Sequence, residues 1–245
     1  MTSPSVVRAA RGRHVDAMTI PHEHAWRVPV GGEETTAAYE PPTAGAERAI
    51  FVCAHGAGGH MSDRSLLAAT RALRTRGLGV VRFNFLYKEK GSGRPDVMPK
   101  LMATVSAVAT RTRAERGTAR PILIGGRSMG GRAASMLAAD GFDAAGLLLL
   151  AYPLHPAGKP EQLRDAHLPR IRMPVLGCSG TRDPLCTRAL MERAIAGVIA
   201  PWEMHWIEGA DHSFHVLKSS GRTDAAVLDE VAAASERWVA RLPFR

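Results

Sequence analysis

PILIGGRSMGG, residues 121–131, runs from an apolar segment into the spacing Gly-x-Ser-x-Gly around Ser128. This pattern is typical of a nucleophile elbow, in which a buried strand ends at a serine on a sharp turn and a helix begins at once. Gly126 and Gly130 lie two residues before and after the serine, where a side chain would collide with neighbouring backbone. The pattern therefore predicts a strand, a projecting hydroxyl and a helix, although a purely structural Gly-rich turn would share it.

The composition fits one globular α/β domain. Of 245 residues, 45% are hydrophobic and 22% are charged, which is ordinary for a soluble globule with a single core. Residues 1–24 lack hydrophobic periodicity and are predicted to form a poorly ordered extension, and residues 25–245 are predicted to form the domain. In the extension, His22 and His24 flank Glu23, but no further ligand lies nearby and no metal site is predicted.

Cysteine usage and hydropathy predict a cytoplasmic location. Cys53, Cys178 and Cys186 show neither paired nor metal-type spacing, which favours a reducing compartment. The amino end contains no apolar run of signal-peptide length, and nowhere do about eighteen apolar residues follow one another. We therefore expect no membrane association.

The net charge of +9 raises the question of a nucleic-acid partner. The excess consists almost entirely of arginines that are scattered over several predicted helices and the amino end. No basic run carries interleaved aromatic residues, so no nucleic-acid binding is predicted. A basic surface would still attract an anionic small-molecule substrate.

Apolar runs alternate with amphipathic segments along the chain. A β-hairpin is predicted over 25–30 and 35–39, and later strands over 49–54, 78–85, the segment before Ser128, 144–152, 173–179 and 202–207. Helices are predicted from a cap at Ser62, from residue 95, after Ser128, over 185–198 and over 223–242. This alternation predicts an α/β fold with a mostly parallel sheet and helices on both faces. The short segment between 152 and 173 leaves no room for a large cap domain.

Chemically active residues follow four of the predicted strands. They lie in HGAGG at 55–59, at Ser128, in TRDP at 181–184 and in GADHS at 209–213. In open parallel sheets, reactive groups collect beyond the carboxyl ends of the strands. The four segments supply serine, aspartate and histidine in the chain order of an α/β-type catalytic triad.

Each member of the predicted triad meets a chemical need. The hydroxyl of Ser128 is a weak nucleophile, so a base must take its proton during attack on a carbonyl. His212, with an ordinary pKa of about 6.5, suits that task and the return of the proton to the leaving group. Asp183 would orient the imidazole and stabilise the imidazolium. The alternatives are His215 as the base, Asp211 as the acid, and Asp183 as a helix cap only.

Backbone N–H groups are predicted to bind the oxyanion of the tetrahedral intermediate. One donor would be Met129 at the helix start, and the other Ala57 or Gly58 in the earlier glycine loop. Arg127 would read an acidic group on the substrate or pair with a carboxylate as a structural residue. His55 would contact the substrate or order the glycine loop.

The sequence predicts no cofactor. Neither glycine cluster matches a phosphate-binding loop, because Gly-Lys-Ser/Thr is missing and Gly-x-Gly-x-x-Gly does not occur at the elbow. The pairs His55 with His60 and His212 with His215 lack the spacing of a zinc site.

Four motifs in this order resemble the α/β-hydrolase superfamily, and in particular its compact dienelactone-hydrolase-like branch. They are HGAGG at 55–59, GGRSMGG at 125–131, GTRDP at 180–184 and GADHSF at 209–214, within a similarity from about residue 26 to the end. The resemblance implies the α/β-hydrolase fold, with Ser128 as nucleophile, Asp183 as acid and His212 as base. Dienelactone hydrolases proper use cysteine as the nucleophile, so their substrate is not expected here.

We therefore expect a cofactor-independent serine hydrolase that cleaves an ester, thioester or related acyl bond of a small molecule through an acyl-enzyme. The alternative is a scaffold protein without turnover, because some relatives, including a subunit of an animal histone-acetyltransferase complex, act through protein interactions. A complete triad argues against this alternative, since a scaffold needs none of its three groups.

Overall fold

The structure, a computed structural model, describes residues 25–243 and contains one sheet of eight strands. The strands are β1 (Ala25–Val30), β2 (Glu33–Glu40), β3 (Ala49–Ala54), β4 (Leu78–Phe83), β5 (Ile122–Arg127), β6 (Gly146–Leu150), β7 (Val175–Gly180) and β8 (Trp202–Ile207). Their order across the sheet is β1-β2-β4-β3-β5-β6-β7-β8. β2 is antiparallel to both of its neighbours. The six strands β3 to β8 are parallel to one another. The predicted extension, with His22 and His24, lies outside the described residues.

Helices cover both faces of this sheet. They are α1 (Arg64–Arg74), α2 (Leu86–Glu89), α3 (Met98–Arg116), α4 (Met129–Ala139), α5 (Arg188–Ile195) and α6 (Asp224–Val239). α3, α4 and α5 pack on one face, and α1 and α6 pack on the other. The predicted α/β architecture is confirmed.

The central strands are apolar on both sides because both faces are covered. In β6, Leu147 and Leu149 belong to the core under α3 and α4, whereas Leu148 and Leu150 belong to the core under α1 and α6. All residues of β3 and β6 are buried. This explains why these strands read as continuous apolar runs rather than as alternating patterns.

Helix starts differ from the predictions at three places, and one of them is α3, which begins at Met98 rather than near residue 95. α1 is capped by Asp63 rather than Ser62, because the Asp63 carboxylate accepts a hydrogen bond of 2.9 Å from the N–H of Ser65. A charged oxygen is also favoured by the positive end of the helix dipole. α5 begins at Arg188 rather than at 185, since Asp183 organises a turn before it.

The segment between β6 and β7 leaves the site uncovered. Of regular structure, residues 151–174 contain one 3₁₀ turn at Leu168–Arg170, which confirms that no large cap domain is inserted there. Within residues 25–243, the helices are too short or too polar to cross a lipid bilayer.

Candidate active site

The predicted elbow lies at the junction of β5 and α4. Ser128 has φ = 51°, the left-handed region that a non-glycine residue occupies only where its surroundings hold it. A Cβ on Gly126 would overlap the carbonyl oxygen of Ala54, and one on Gly130 would lie 2.6 Å from the carbonyl oxygen of His55. Both glycines are therefore required by close approach of backbone, as the pattern predicted.

The structure brings together Ser128 after β5, Asp183 after β7 and His212 after β8, at the carboxyl ends of these strands. Nε2 of His212 lies 2.8 Å from Oγ of Ser128, and Nδ1 lies 2.8 Å from Oδ2 of Asp183. The Asp183 side chain is 0% exposed and the His212 side chain 20% exposed. The arrangement can carry a proton away from the serine and balance the resulting positive charge on the imidazole.

Asp183 does not cap α5, whose N-cap is Thr187, but each of its carboxylate oxygens has a partner. While Oδ2 faces His212, Oδ1 accepts a hydrogen bond of 2.8 Å from the N–H of Leu185. The turn therefore holds the carboxylate in place, and the carboxylate in turn orients the imidazole.

The rival residues have partners of their own. His215 is exposed and lies 2.9 Å from the carboxylate of Asp224, which raises the pKa of His215. Asp211 accepts hydrogen bonds from the N–H groups of Ser213, at 2.7 Å, and His215, at 3.0 Å. Asp211 thus shapes the loop that carries His212.

Arg127 braces that loop. Its guanidinium donates to Oγ of Ser65 at 2.7 Å, to Oγ of Ser213 at 3.0 Å and to the carbonyl oxygen of His212 at 3.4 Å. These hydrogen bonds go to hydroxyl and carbonyl oxygens, and the positive charge of Arg127 also helps to lower the pKa of the nearby Asp63 carboxyl. Sequence reasoning missed Ser65 and Ser213, because neither belongs to a motif that points to Arg127.

Both ring nitrogens of His55, which was predicted to contact the substrate or to order the glycine loop, have protein partners. It is buried, with Nδ1 2.8 Å from the carbonyl oxygen of Gly56, and Nε2 accepts the N–H of Phe85 at 3.1 Å. Burial lowers the pKa of His55 to about 4, so the ring is neutral and Nδ1 carries the hydrogen. His55 thus links Gly56 of the glycine loop to Phe85, which precedes α2.

The glycine loop passes beside Ser128. A Cβ on Gly56 would lie 3.6 Å from Cβ of Ser128. Ala57 and Gly58 follow in this loop, and Met129 is the first residue of α4. Two sources of backbone N–H groups therefore flank the serine.

Other reactive groups are confined within the core. Burial raises the pKa values of the Cys53, Cys178 and Cys186 thiols to about 12, so these thiols are poor nucleophiles. Within the described part of the chain, no three His, Cys, Asp or Glu side chains are grouped closely enough to hold a metal ion.

The sequence profile of the alpha/beta hydrolase domain matches residues 47–240, which include the elbow and both partner segments. The chain belongs to the alpha/beta hydrolase family. The predicted resemblance is thereby confirmed.

Solved alpha/beta hydrolases have the same fold. An alpha-beta serine hydrolase homologue from Coxiella burnetii is 21% identical, with a TM-score of 0.69 over 88% of this chain and 96% of its own. Dienelactone hydrolase from Anabaena variabilis is 20% identical, with a TM-score of 0.71 over 90% and 98%. A serine hydrolase without a lid from Xanthomonas campestris is 21% identical, with a TM-score of 0.66 over 90% and 95%. The likeness to dienelactone hydrolase is one of fold.

Proposed function

We propose that this alpha/beta hydrolase is a cytoplasmic serine hydrolase that cleaves ester, thioester or related acyl bonds through an acyl-enzyme. The observation that carries the proposal is the bridging position of His212, with one ring nitrogen 2.8 Å from Oγ of Ser128 and the other 2.8 Å from buried Asp183. Such a continuous hydrogen-bonded chain is the arrangement that nucleophilic catalysis by serine requires.

In the acylation step, Oγ of Ser128 attacks the carbonyl carbon while Nε2 of His212 takes its proton. Asp183 stabilises the imidazolium, and because its carboxylate is buried, the interaction is little screened by water. The tetrahedral intermediate then collapses, the bond to the leaving oxygen or sulfur breaks, and Nε2 returns the proton to that atom.

In the second step, water releases the acyl group. His212 takes a proton from the water as it attacks the acyl-serine carbonyl, and the same proton returns to Oγ when the ester bond to Ser128 breaks. The enzyme is then restored without a cofactor.

The N–H group of Met129 and that of Ala57 or Gly58 stabilise the oxyanion in both steps. Met129 supplies one of the N–H groups that the first turn of α4 leaves without a helical acceptor, and the glycine loop supplies the other. Each such donor contributes about 3 kcal/mol to stabilisation of the transition state.

Covalent labelling tests the proposal. A fluorophosphonate probe should label the wild type in a time-dependent manner and should not label Ser128→Ala. Ser220→Ala serves as the matched control, because Ser220 is exposed and lies in the 3₁₀ turn Lys218–Ser220, and it should label like the wild type. Equal labelling of Ser128→Ala, or no labelling of the wild type, would contradict the proposal and favour the scaffold interpretation.

A panel of phenyl esters and thioesters, varied in acyl length and charge, then defines the substrate class. Turnover of any member that is lost in Ser128→Ala supports hydrolysis at this site. Stoichiometric release of phenol before a slower steady state would report the acyl-enzyme directly.

A further inference from the structure

A second arginine lies beside the nucleophile, on the helix side of the elbow. Arg132 is one helical turn after Ser128, and its N–H donates to the carbonyl oxygen of Ser128 at 3.0 Å. Residues four apart share a face of a helix, and helical side chains lean toward the N-terminus. The Arg132 side chain therefore leans toward the end of α4 that carries Ser128.

The guanidinium of Arg132 has no hydrogen-bond or ion-pair partner within residues 25–243. Its side chain is half-buried, and its Nε is buried without a hydrogen-bond acceptor. A guanidinium has five donors, and buried donors are almost always satisfied. The arrangement therefore lacks a hydrogen-bond acceptor.

Arg164 adds a second positive charge at the same place. It lies in the segment that follows β6, is half-buried, and donates to the carbonyl oxygen of Pro153 at 3.2 Å. Burial and the nearby charge of Arg132 both lower the pKa of Arg164. Tyr152 fixes this segment by donating from its hydroxyl to the carbonyl oxygen of Arg164 at 2.6 Å.

The surrounding groups do not neutralise the two arginines. Asp140 pairs with Arg170 at 3.3 Å, and within the described residues no carboxylate forms an ion pair with Arg132 or Arg164. His167, whose Nε2 lies 2.8 Å from Oγ of Ser135, has a pKa lowered to about 4, mainly by burial, and adds no charge at neutral pH.

We propose that Arg132 and Arg164 form an anion-binding subsite that holds a carboxylate or phosphate group of the substrate whose acyl bond Ser128 cleaves. This inference rests on the proposed function. Planar guanidinium groups match the oxygens of either anion, and a half-buried site strengthens charge-assisted hydrogen bonds. No cap domain covers the segment that carries Arg164, so a charged ligand can approach.

The test measures binding without turnover. Ser128→Ala is titrated by calorimetry with glutaric acid monoanilide, with the neutral pentanoic acid anilide of the same length, and with inorganic phosphate. At least one of the two anions should bind, and the neutral anilide should bind at least tenfold more weakly than the monoanilide if the monoanilide is the ligand. Adding Arg132→Gln or Arg164→Gln should weaken anion binding at least tenfold.

Arg111→Gln in the same background is the matched control. Arg111 is an exposed arginine on α3 that pairs with Glu115, so its loss removes the same charge from another place and should leave the dissociation constant within about twofold. Absence of anion binding, or binding that survives in both the Arg132 and the Arg164 variants, would overturn the subsite.

Melting temperatures separate binding from a structural role. Removing one of two repelling charges should leave the melting temperature of Arg132→Gln equal to or above that of its parent. If this variant does not fold, Arg164→Gln decides alone. Anion binding that depends on these arginines, in a protein whose Ser128 is not labelled by a fluorophosphonate, would retain the subsite and reject the hydrolase, whereas the reverse result would reject the subsite only.

Discussion

The arginines on the two sides of the elbow differ in their hydrogen-bond partners. On the strand side, Arg127 donates to Ser65, to Ser213 and to the backbone of the loop that carries the base. On the helix side, the guanidinium of Arg132 has no hydrogen-bond or ion-pair partner among residues 25–243. The two residues are separated by five positions in sequence and flank the same Ser128.

This difference distinguishes positioning from binding. A guanidinium that is held by three hydrogen bonds is fixed and can fix what it touches, whereas one that lacks acceptors in a half-buried site remains available for an anion. We therefore expect changes on the strand side to affect every substrate equally, and changes on the helix side to affect anionic substrates selectively.

The largest effect is expected for the loss of His212, the proposed base, which lies on the strand side. His212→Ala should lower kcat/KM by about 10³-fold, because general-base assistance to Ser128 is lost. His215→Ala removes the neighbouring histidine, which faces Asp224, and should change kcat/KM by less than about twofold. Steady-state hydrolysis of a neutral phenyl ester measures both. A larger loss in His215→Ala would reverse the assignment of the base.

A smaller effect is expected when the brace is removed. Arg127→Met should lower kcat by about 10- to 100-fold, because the His212 loop loses two hydrogen bonds and the link through Arg127 to Ser65, and the imidazole shifts relative to Ser128. The loss should be the same for 3-carboxyphenyl butyrate and for the neutral 3-carbamoylphenyl butyrate. A loss of activity confined to the carboxylate ester would show that Arg127 binds the anion, and would contradict the difference between the two arginines.

A fall in pH should lower the free energy of unfolding through one histidine on each side of the elbow. Burial lowers the pKa values of His55, near the strand side, and His167, on the helix side, to about 4, so the unfolded chain binds protons on them more readily than the folded chain. The stability that these neutral rings contribute is present above their unfolded pKa of about 6.5 and is lost as the pH falls toward about 4.

Denaturant unfolding at about pH 6.5 and pH 5 measures this loss. It should be about 1.5 kcal/mol for His55 and about 1 kcal/mol for His167, which lies nearer to solvent. His55→Gln and His167→Gln should each reduce the pH dependence by the corresponding amount. His215→Gln is the control, because Asp224 raises the pKa of His215 and its loss should not reduce that dependence. An unchanged slope in the first two variants would contradict the neutral, buried state of both rings.

The fold and the elbow were predictable because their signals are local. Continuous apolar runs such as that of β6 indicate strands covered on both faces, and the two glycines around Ser128 reflect contacts with backbone that any nucleophile elbow makes. The cap of α1 was mispredicted by one residue, because Ser62 and Asp63 are adjacent capping residues and only geometry distinguishes them.

The sequence by itself determined the architecture, the position of the elbow serine and the order of serine, aspartate and histidine along the chain. The tertiary structure decided that His212 rather than His215 faces Ser128. It also decided that, within residues 25–243, the guanidinium of Arg127 has hydrogen-bond partners whereas that of Arg132 has none. The physical reason is that periodicity and close backbone approach act between near neighbours, whereas a side chain's partner depends on which strand ends lie side by side. Arg127, for example, finds its partners 62 residues before it and 85 and 86 residues after it.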